Sequence, residues 1–312
     1  MDAFPVGFKL LGQIGQGGEG TVSRYYHHPS RTLVAAKTFF RPRTDTRAPR
    51  EARILMELRG CTKIAQLYEV IMNQPGYGYS TLLLEHCEYG DLRSFQDWHF
   101  YQRIALSEPF IWHVAREISE ALAYLAAGGT SNSPTAHVPA FRTIVHRDVK
   151  LANVLLKVGP TTALTGFFEV KLADFGNAVA YDPSTSFIPC GRAGTYDIRP
   201  PEYPLATPAW DVWGLGCVVH LLALGMLPIT RQPYEVPPEE MEAYARQEGA
   251  PEPLVRTICV PPGIGVGTNP PMHERQLAFY SRTLDVAMKC MLVLDPTKRM
   301  TAVHLRGIIR RL

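Results

Sequence analysis

The sequence predicts an α+β fold in two lobes: a small β-rich N-terminal lobe with one main helix, over about 1–87, and a larger, mainly helical C-terminal lobe over about 88–312. Three observations predict it. Residues 8–85 carry short, loosely alternating apolar runs broken by Gly and Pro. After Gly90-Asp91 the apolar period turns helical. The chain has 312 residues, enough for one large domain or two lobes around a cleft, where ligands favour binding.

Phe8 to Tyr26 has glycines in its middle and reads as two strands joined by a Gly-rich turn. Thr32 to Phe40 is a third strand, with Val34, Ala36 and Thr38 on one face and Ala35, Lys37 and Phe39 on the other. Pro49 suits the first turn of a helix, and Ile54, Leu55 and Leu58 then recur at helical spacing. Gln66 to Met72 and Tyr79 to Glu85 are two further strands, followed by a connector from Glu85 to Gly90. Ile111 to Ala126 is strongly helical, through Ile111, Val114, Ala115, Ile118, Leu122 and Leu125. Ala127 to Ala140 is rich in Gly, Ser, Thr and Pro and reads as a loop. Short strands at Val154–Leu156 and Val170–Leu172 bracket an extended turn from Lys157 to Phe167. From Asp211 onward the pattern is helical, broken by prolines in 233–238, 251–253 and 261–271. No internal repeat is visible.

Composition excludes several classes. A hydrophobic fraction of 46% and a charged fraction of 20% can bury a core and do not describe a disordered chain. A net charge of +3 is too small to imply nucleic-acid binding. The basic run of Arg41, Arg43, Arg47, Arg50 and Arg53, against Asp45 and Glu51, reads as a solvated face. Cys61, Cys87, Cys190, Cys217, Cys259 and Cys290 form no CxxC pair, so free, mostly buried thiols in a reducing compartment are expected. The N-terminus lacks a basic and an apolar signal region, and Asp2 stands where myristoylation needs glycine. Val212 to Ile229 is nearly uncharged, but His220, three glycines and Pro228 favour a helix buried in a soluble core over a membrane span. An intracellular protein, cytoplasmic or nuclear, is expected.

The chemistry lies in four motifs. Gly15-Gln16-Gly17-Gly18-Glu19-Gly20-Thr21-Val22 fits G-x-G-x-x-G-x-V, in which missing side chains let backbone N–H groups approach phosphates. A strand, not a helix, follows at Thr21 to Tyr26, which disfavours a dinucleotide fingerprint, and no GxxxxGK[ST] occurs. Val34-Ala35-Ala36-Lys37 buries a lysine in an apolar strand, which is costly unless it meets negative charge, and Glu51 is the expected partner. His146-Arg147-Asp148-Val149-Lys150-Leu151-Ala152-Asn153 places Asp, Lys and Asn at offsets zero, two and five, and Asp174-Phe175-Gly176 begins twenty-one positions after Asn153. A base, a phosphate-steadying lysine and two metal ligands are what phosphoryl transfer from a nucleotide needs.

In that order, with Pro200-Pro201-Glu202, Asp211 and Arg299 following, these motifs resemble the eukaryotic protein kinases over one catalytic domain, residues 8–306. The resemblance implies a two-lobed protein-kinase-like fold, ATP and Mg²⁺ as cofactors, and protein substrates with Ser or Thr acceptors. It implies Asp148 as catalytic base, Lys150 as γ-phosphate ligand, and Asn153 and Asp174 as metal ligands. Lys37, paired with Glu51, would hold the α- and β-phosphates. Gly15, Gly17 and Gly20 would cover the phosphates, and Val22, Ala35 and Leu155 would sandwich the adenine. Glu85 to Cys87 would bind adenine through backbone groups, with Leu84 as gatekeeper and Asp91 beside the ribose. Leu55, Leu67, His146 and Phe175 would stack as a regulatory spine. Lys150 and Gly194-Thr195 resemble the Ser/Thr branch, in which the Thr contacts both base and lysine. Glu202 and Arg299 would form a buried ion pair.

The pattern has departures. Lys37 and Glu51 are fourteen positions apart, shorter than in most relatives, and Pro49 leaves the helix little room upstream of Glu51. Glu19 puts a carboxylate at the tip of the glycine loop, mildly unfavourable beside a triphosphate. Ala152 argues against a strong preference for basic residues before the acceptor. Arg147 suggests activation-loop phosphorylation by an upstream kinase. Ser184, Thr185 and Ser186 lie early in that segment, however, and the usual acceptor position falls near Cys190-Gly191. A monomer is expected, with no nucleic-acid partner and no membrane insertion. Two rival readings are a pseudokinase scaffold and a small-molecule kinase of related fold. The presence of Lys37, Asp148, Asn153 and Asp174 opposes the first; Lys150 and Pro200-Pro201-Glu202 oppose the second.

Overall fold

A computed structural model describes residues 4–40, 47–128, 141–185, 194–230, 254–255 and 280–312. Five antiparallel strands build the N-terminal sheet: β1 (Phe8–Gln16), β2 (Gly20–His27), β3 (Thr32–Phe39), β4 (Leu67–Met72) and β5 (Ser80–Glu85), in the order β1-β2-β3-β5-β4. In this register Lys37 pairs with Val22 on one side and Leu82 on the other. Gly20 opens β2 where a Cβ would sit 2.2 Å from the Thr38 carbonyl oxygen, so a side chain there would push β2 and β3 apart.

Helix α1 (Arg50–Glu57) follows Pro49, its N-cap residue, and buries Glu51, Ala52, Ile54 and Leu55. That buried set mixes one carboxylate with three apolar side chains, so the helix packs by its apolar stripe and delivers a charge into the cleft.

Helix α2 (Leu92–Tyr101) is capped by Asp91, whose side chain accepts the Ser94 N–H. Helix α3 (Glu108–Ala127) starts at the Ser107 cap and ends at Gly128 in the left-handed region. Ile111, Val114, Ile118 and Leu122 lie in the core, each contributing about 1.5–3 kcal/mol by burial. Strands β6 (Ile144–Val145), β7 (Val154–Lys157), β8 (Glu169–Leu172) and β9 (Val179–Ala180) pair as β6-β9 and β7-β8. Helix α4 (Pro160–Thr165) joins β7 to β8. Helix α5 (Pro208–Leu224) is buried over most of its length, and α6 (Arg282–Met291) and α7 (Ala302–Ile309) complete the lobe. A short pair, β10 (Ile229–Thr230) with β11 (Leu254–Val255), lies in the region predicted helical.

One core runs through both lobes, from Leu55, Leu67 and Leu82 to Phe175, Ile144, Trp213 and Met288. The apolar run from Val212 forms the rest of α5 as far as Leu224, in a helix that is buried over most of its length, and continues past the Gly225 cap. Among the described residues no helix is long and apolar enough to cross a membrane.

Two helices also differ from the sequence reading. The extended turn predicted at Lys157 to Phe167 is helical from Pro160 to Thr165, with Pro at the first turn and Gly166 as a left-handed cap. Those are start and stop signals that so short a segment makes easy to pass over. Helix α2 was not predicted; its cap, Asp91, was read only as a ribose contact. The loop from 129 to 140 and the proline-rich stretches lie outside the described residues.

Candidate active site

The Lys37 ammonium lies 2.7 Å from Glu51 Oε2 and 2.8 Å from Asp174 Oδ1. Burial pulls its pKa down, but the Glu51 and Asp174 carboxylates outweigh that and hold it above the ordinary lysine value. Glu51 is only 3% exposed, and burial pushes its carboxyl up against the opposing pull of Lys37. Asp174 is kept below the ordinary aspartate range: burial would raise it, and Lys37 overrides burial. Its side chain is 46% exposed and opens onto the cleft. Its backbone sits in the left-handed region at φ 60°, which turns β8 into the 3₁₀ turn Phe175–Asn177.

Asp148 follows β6. Its Oδ1 accepts the backbone N–H of Thr195 at 3.0 Å and the Thr195 hydroxyl at 2.9 Å. Its Oδ2 accepts Asn153 Nδ2 at 3.1 Å and lies 2.9 Å from Lys150 Nζ. Lys150 also donates to Thr195 Oγ1 at 2.8 Å, closing a triangle of Asp148, Lys150 and Thr195. Asp211, at the start of α5, holds this loop by accepting the backbone N–H groups of His146 and Arg147 at 2.7 and 2.8 Å. Burial pushes the Asp211 carboxyl up to about 7, with those two donors opposing it.

His146 is fully buried and faces Phe175 edge-on, ring centroids 4.6 Å apart. Its Nε2 is 3.0 Å from the Ala173 carbonyl, and its Nδ1 accepts the Asp148 N–H at 3.2 Å. Only the neutral ring protonated at Nε2 satisfies both bonds. Burial accordingly lowers its pKa from the ordinary value of 6.5. Leu55 and Leu67 are buried in the same core as Phe175, so the four predicted spine residues share one interior.

The connector is anchored by the Glu85 side chain. Glu85 Oε1 accepts Lys157 Nζ at 2.6 Å, with Lys171 Nζ 3.3 Å away, and its Oε2 accepts the Gln66 N–H at 3.1 Å. That carboxylate ties the connector to β7 and β8, while the Glu85 N–H donates to the Gln66 carbonyl at 2.8 Å and the Cys87 carbonyl accepts the Gly90 N–H at 3.2 Å. Cys87 is buried, and burial followed by Glu85 pushes its thiol up to about 12, so it is unreactive. Asp91 bridges to Leu155 through the backbone while its carboxylate caps α2. Val22 and Leu155 are half-buried and Ala35 is buried. Cys61, Cys217 and Cys290 are also free thiols; Cys190 and Cys259 lie outside the described residues.

A family model described as "Protein kinase domain" matches residues 8–307. The chain belongs to this family. Its relatives include the CTD kinase subunit alpha of Schizosaccharomyces pombe, 29% identical over 70% of this chain and 33% of the relative. A calcium/calmodulin-dependent protein kinase type II of Caenorhabditis elegans is 28% identical over 72% of this chain and 28% of the relative. Cyclin-dependent kinase 12 of Drosophila melanogaster is 26% identical over 95% of this chain and 25% of the relative. The kinase chain thus spans a third or less of the length of these relatives.

In this kinase fold Arg299 meets Glu202 through both terminal nitrogens at 2.6 and 2.9 Å, the buried ion pair that the sequence predicted. Two features of the fold were not legible in advance. Arg50, assigned to a solvated face, donates to the Gly176 carbonyl at 2.5 Å and joins α1 to the Asp174 segment. Asn177, not singled out, lies 3.4 Å from Asp148 Oδ2. Nothing local marks either, because both contacts depend on register between distant elements. Ser184 bonds Asp182, and residues 186–193, which include Ser186 and the usual acceptor position near Cys190, lie outside the described residues.

The donors facing the cleft suit a hard divalent cation. Asp174 offers carboxylate oxygen, and Asn153 turns its amide nitrogen to Asp148, which leaves its amide oxygen for a ligand. No group of three or more His, Cys, Asp or Glu able to hold a metal occurs among the described residues, so these two oxygens would need phosphate and water to complete a coordination shell.

Proposed function

We propose that the chain is an ATP-dependent Ser/Thr protein kinase, passing the γ-phosphoryl group of Mg-ATP to a Ser or Thr hydroxyl of a protein. The triangle of Asp148, Lys150 and Thr195 carries this reading, since it combines a base, a phosphate-binding cation and the threonine of the Ser/Thr branch.

Gly15, Gly17 and Gly20 let the loop backbone approach the phosphates, and Lys37, fixed by Glu51, holds the α- and β-phosphates. Val22, Ala35 and Leu155 pack the adenine, the backbone of Glu85 and Cys87 bonds its edge, and Asp91 lies beside the ribose. Asn153 and Asp174 would hold Mg²⁺, which when bound neutralises phosphate charge. Asp148 takes the acceptor's hydroxyl proton as the hydroxyl oxygen bonds to the γ-phosphorus. The bond from that phosphorus to the β-phosphate oxygen breaks, and ADP leaves with its electron pair. Lys150 steadies the phosphoryl group in flight. Positioning and electrostatics supply most of the rate.

Protein substrates are the expected partners, with an upstream kinase acting through Arg147. The chain is expected to act as a monomer in the cytoplasm or nucleus. The pseudokinase reading is opposed by the intact Lys37–Glu51–Asp174 charge cluster. Phosphoryl transfer to Ser or Thr peptides that disappears in Asp148→Asn tests the proposal, and nucleotide binding without any transfer would return weight to a scaffold.

A further inference from the structure

Strands β6 and β9 pair with Val145 opposite Val179. Extending that antiparallel register by two residues puts Arg147 opposite Asn177. Two bonds of opposite sense join these segments. Arg147 Nε donates to the Asn177 carbonyl at 2.7 Å, and Asn177 Nδ2 donates to Asp148 Oδ2 at 3.4 Å. The first bond fixes where Asn177 stands; the second aims its amide at the carboxylate.

Among the described residues, four side chains meet that carboxylate: Thr195 at Oδ1, and Lys150, Asn153 and Asn177 at Oδ2. Their fates differ once substrate is present. Lys150 would turn to the phosphoryl group, and Asn153 would share its amide between Asp148 and a metal ion. Asn177 has no such second task, and it stands on the segment that carries Asp174.

We propose that Asn177 is a positioning residue for the reaction: its amide holds the rotation of the Asp148 carboxylate and ties that rotation to the segment bearing Asp174. The proposal rests on reading Asp148 as the base. The 3.4 Å separation is that of a long bond in a nucleotide-free cleft, and such contacts tighten when the reacting complex forms. Asn177 is half-buried, so a change there alters the bond without opening a cavity in the core.

The test is steady-state kinetics of Asn177→Leu, which keeps size but loses the donor, and Asn177→Asp, which keeps shape but offers only acceptors. Asn177→Leu is expected to lower kcat about tenfold with nucleotide KM within about twofold, the cost of a hydrogen bond to a charged group. Asn177→Asp is expected to fall further, since it sets like charges together. In an Asp148→Asn background, Asn177→Leu is expected to leave the residual rate unchanged. Unchanged kcat in Asn177→Leu, or the same loss in both backgrounds, overturns the proposal. Should Asn177→Leu not fold, Asn177→Gln against Asn177→Glu makes the same comparison: the amide retains rate and the carboxylate loses it. Wild-type protein that binds nucleotide but never transfers a phosphoryl group overturns the reading of Asp148 and this proposal with it, whereas an active wild type with an unaffected Asn177→Leu overturns only the role of Asn177.

Discussion

Glu19 and Gly176 meet across the cleft. The Glu19 carboxylate oxygen lies 2.8 Å from where a Cβ on Gly176 would sit, so the tip of the glycine loop rests on the segment that carries Asp174. The loop is held there by backbone bonds from Gly17 N–H to the Gly20 carbonyl and from Phe40 N–H to the Glu19 carbonyl, both 2.9 Å. A side chain on residue 176 would displace the Glu19 carboxylate, the free end of a flexible exposed side chain, so the contact itself does not demand glycine.

A triphosphate entering beneath the loop meets that carboxylate as a like charge. Glu19→Gln is predicted to lower the nucleotide KM by about two- to fivefold with kcat little changed, a modest effect because water screens the pair. Initial rates across nucleotide concentration check this, and an unchanged or raised KM would contradict it.

The Glu202–Arg299 pair sits in a dry site, its side chains 3% and 0% exposed. Removing one partner strands the other charge. Arg299→Leu is predicted to destabilise the fold by about 3–5 kcal/mol, measured by denaturant unfolding. A change below about 1 kcal/mol would mean that the pair holds the activation segment without supporting the core.

His146 should make stability depend on acidity. The folded protein needs it neutral, while the unfolded chain takes a proton near the ordinary pKa of 6.5. Below that pH the unfolded state binds more protons, so this contribution is complete above about 6.5 and is lost as the pH falls toward the lowered folded value. Melting temperatures of wild type and His146→Phe between pH 5 and 7.5 check the sign. The variant is predicted to be less stable overall, with a shallower acid slope.

Lys37→Met is predicted to abolish turnover, about 100-fold or more, and to lower stability, because Glu51 and Asp174 would face each other without a cation. Replacing Glu51 by Gln should be milder, since Asp174 still holds Lys37. Turnover of both variants, with unfolding of each, separates the two effects.

The motifs were readable because their chemistry is local. The Asp148–Lys150–Asn153 spacing lies within one loop, and the alternation of β3 placed Lys37 on the same face as Ala35. Helix α3 was readable because its apolar period runs through sixteen residues, from Ile111 to Ala126. Helix α4 has six residues, too few to show a period, and only its Pro and Gly ends announce it. Arg50, Asn177 and the Lys157–Glu85–Lys171 cluster were out of reach for another reason. Each joins elements far apart in the chain: Arg50 needs α1 packed on the Phe175–Asn177 turn, Asn177 the register of β6 with β9, and the lysine pair the β7–β8 ladder set beside Glu85.

The central claim is that Asp148 takes the acceptor's proton during transfer from Mg-ATP to Ser or Thr. The most direct measurement incubates the protein, with Asp148→Asn alongside, with Mg²⁺, labelled ATP and a degenerate Ser/Thr/Tyr peptide array. The account predicts label on Ser or Thr peptides, a loss of about 100-fold or more in Asp148→Asn, and nucleotide still bound by the variant. Wild-type turnover in Asp148→Asn, or label confined to Tyr peptides, would contradict it.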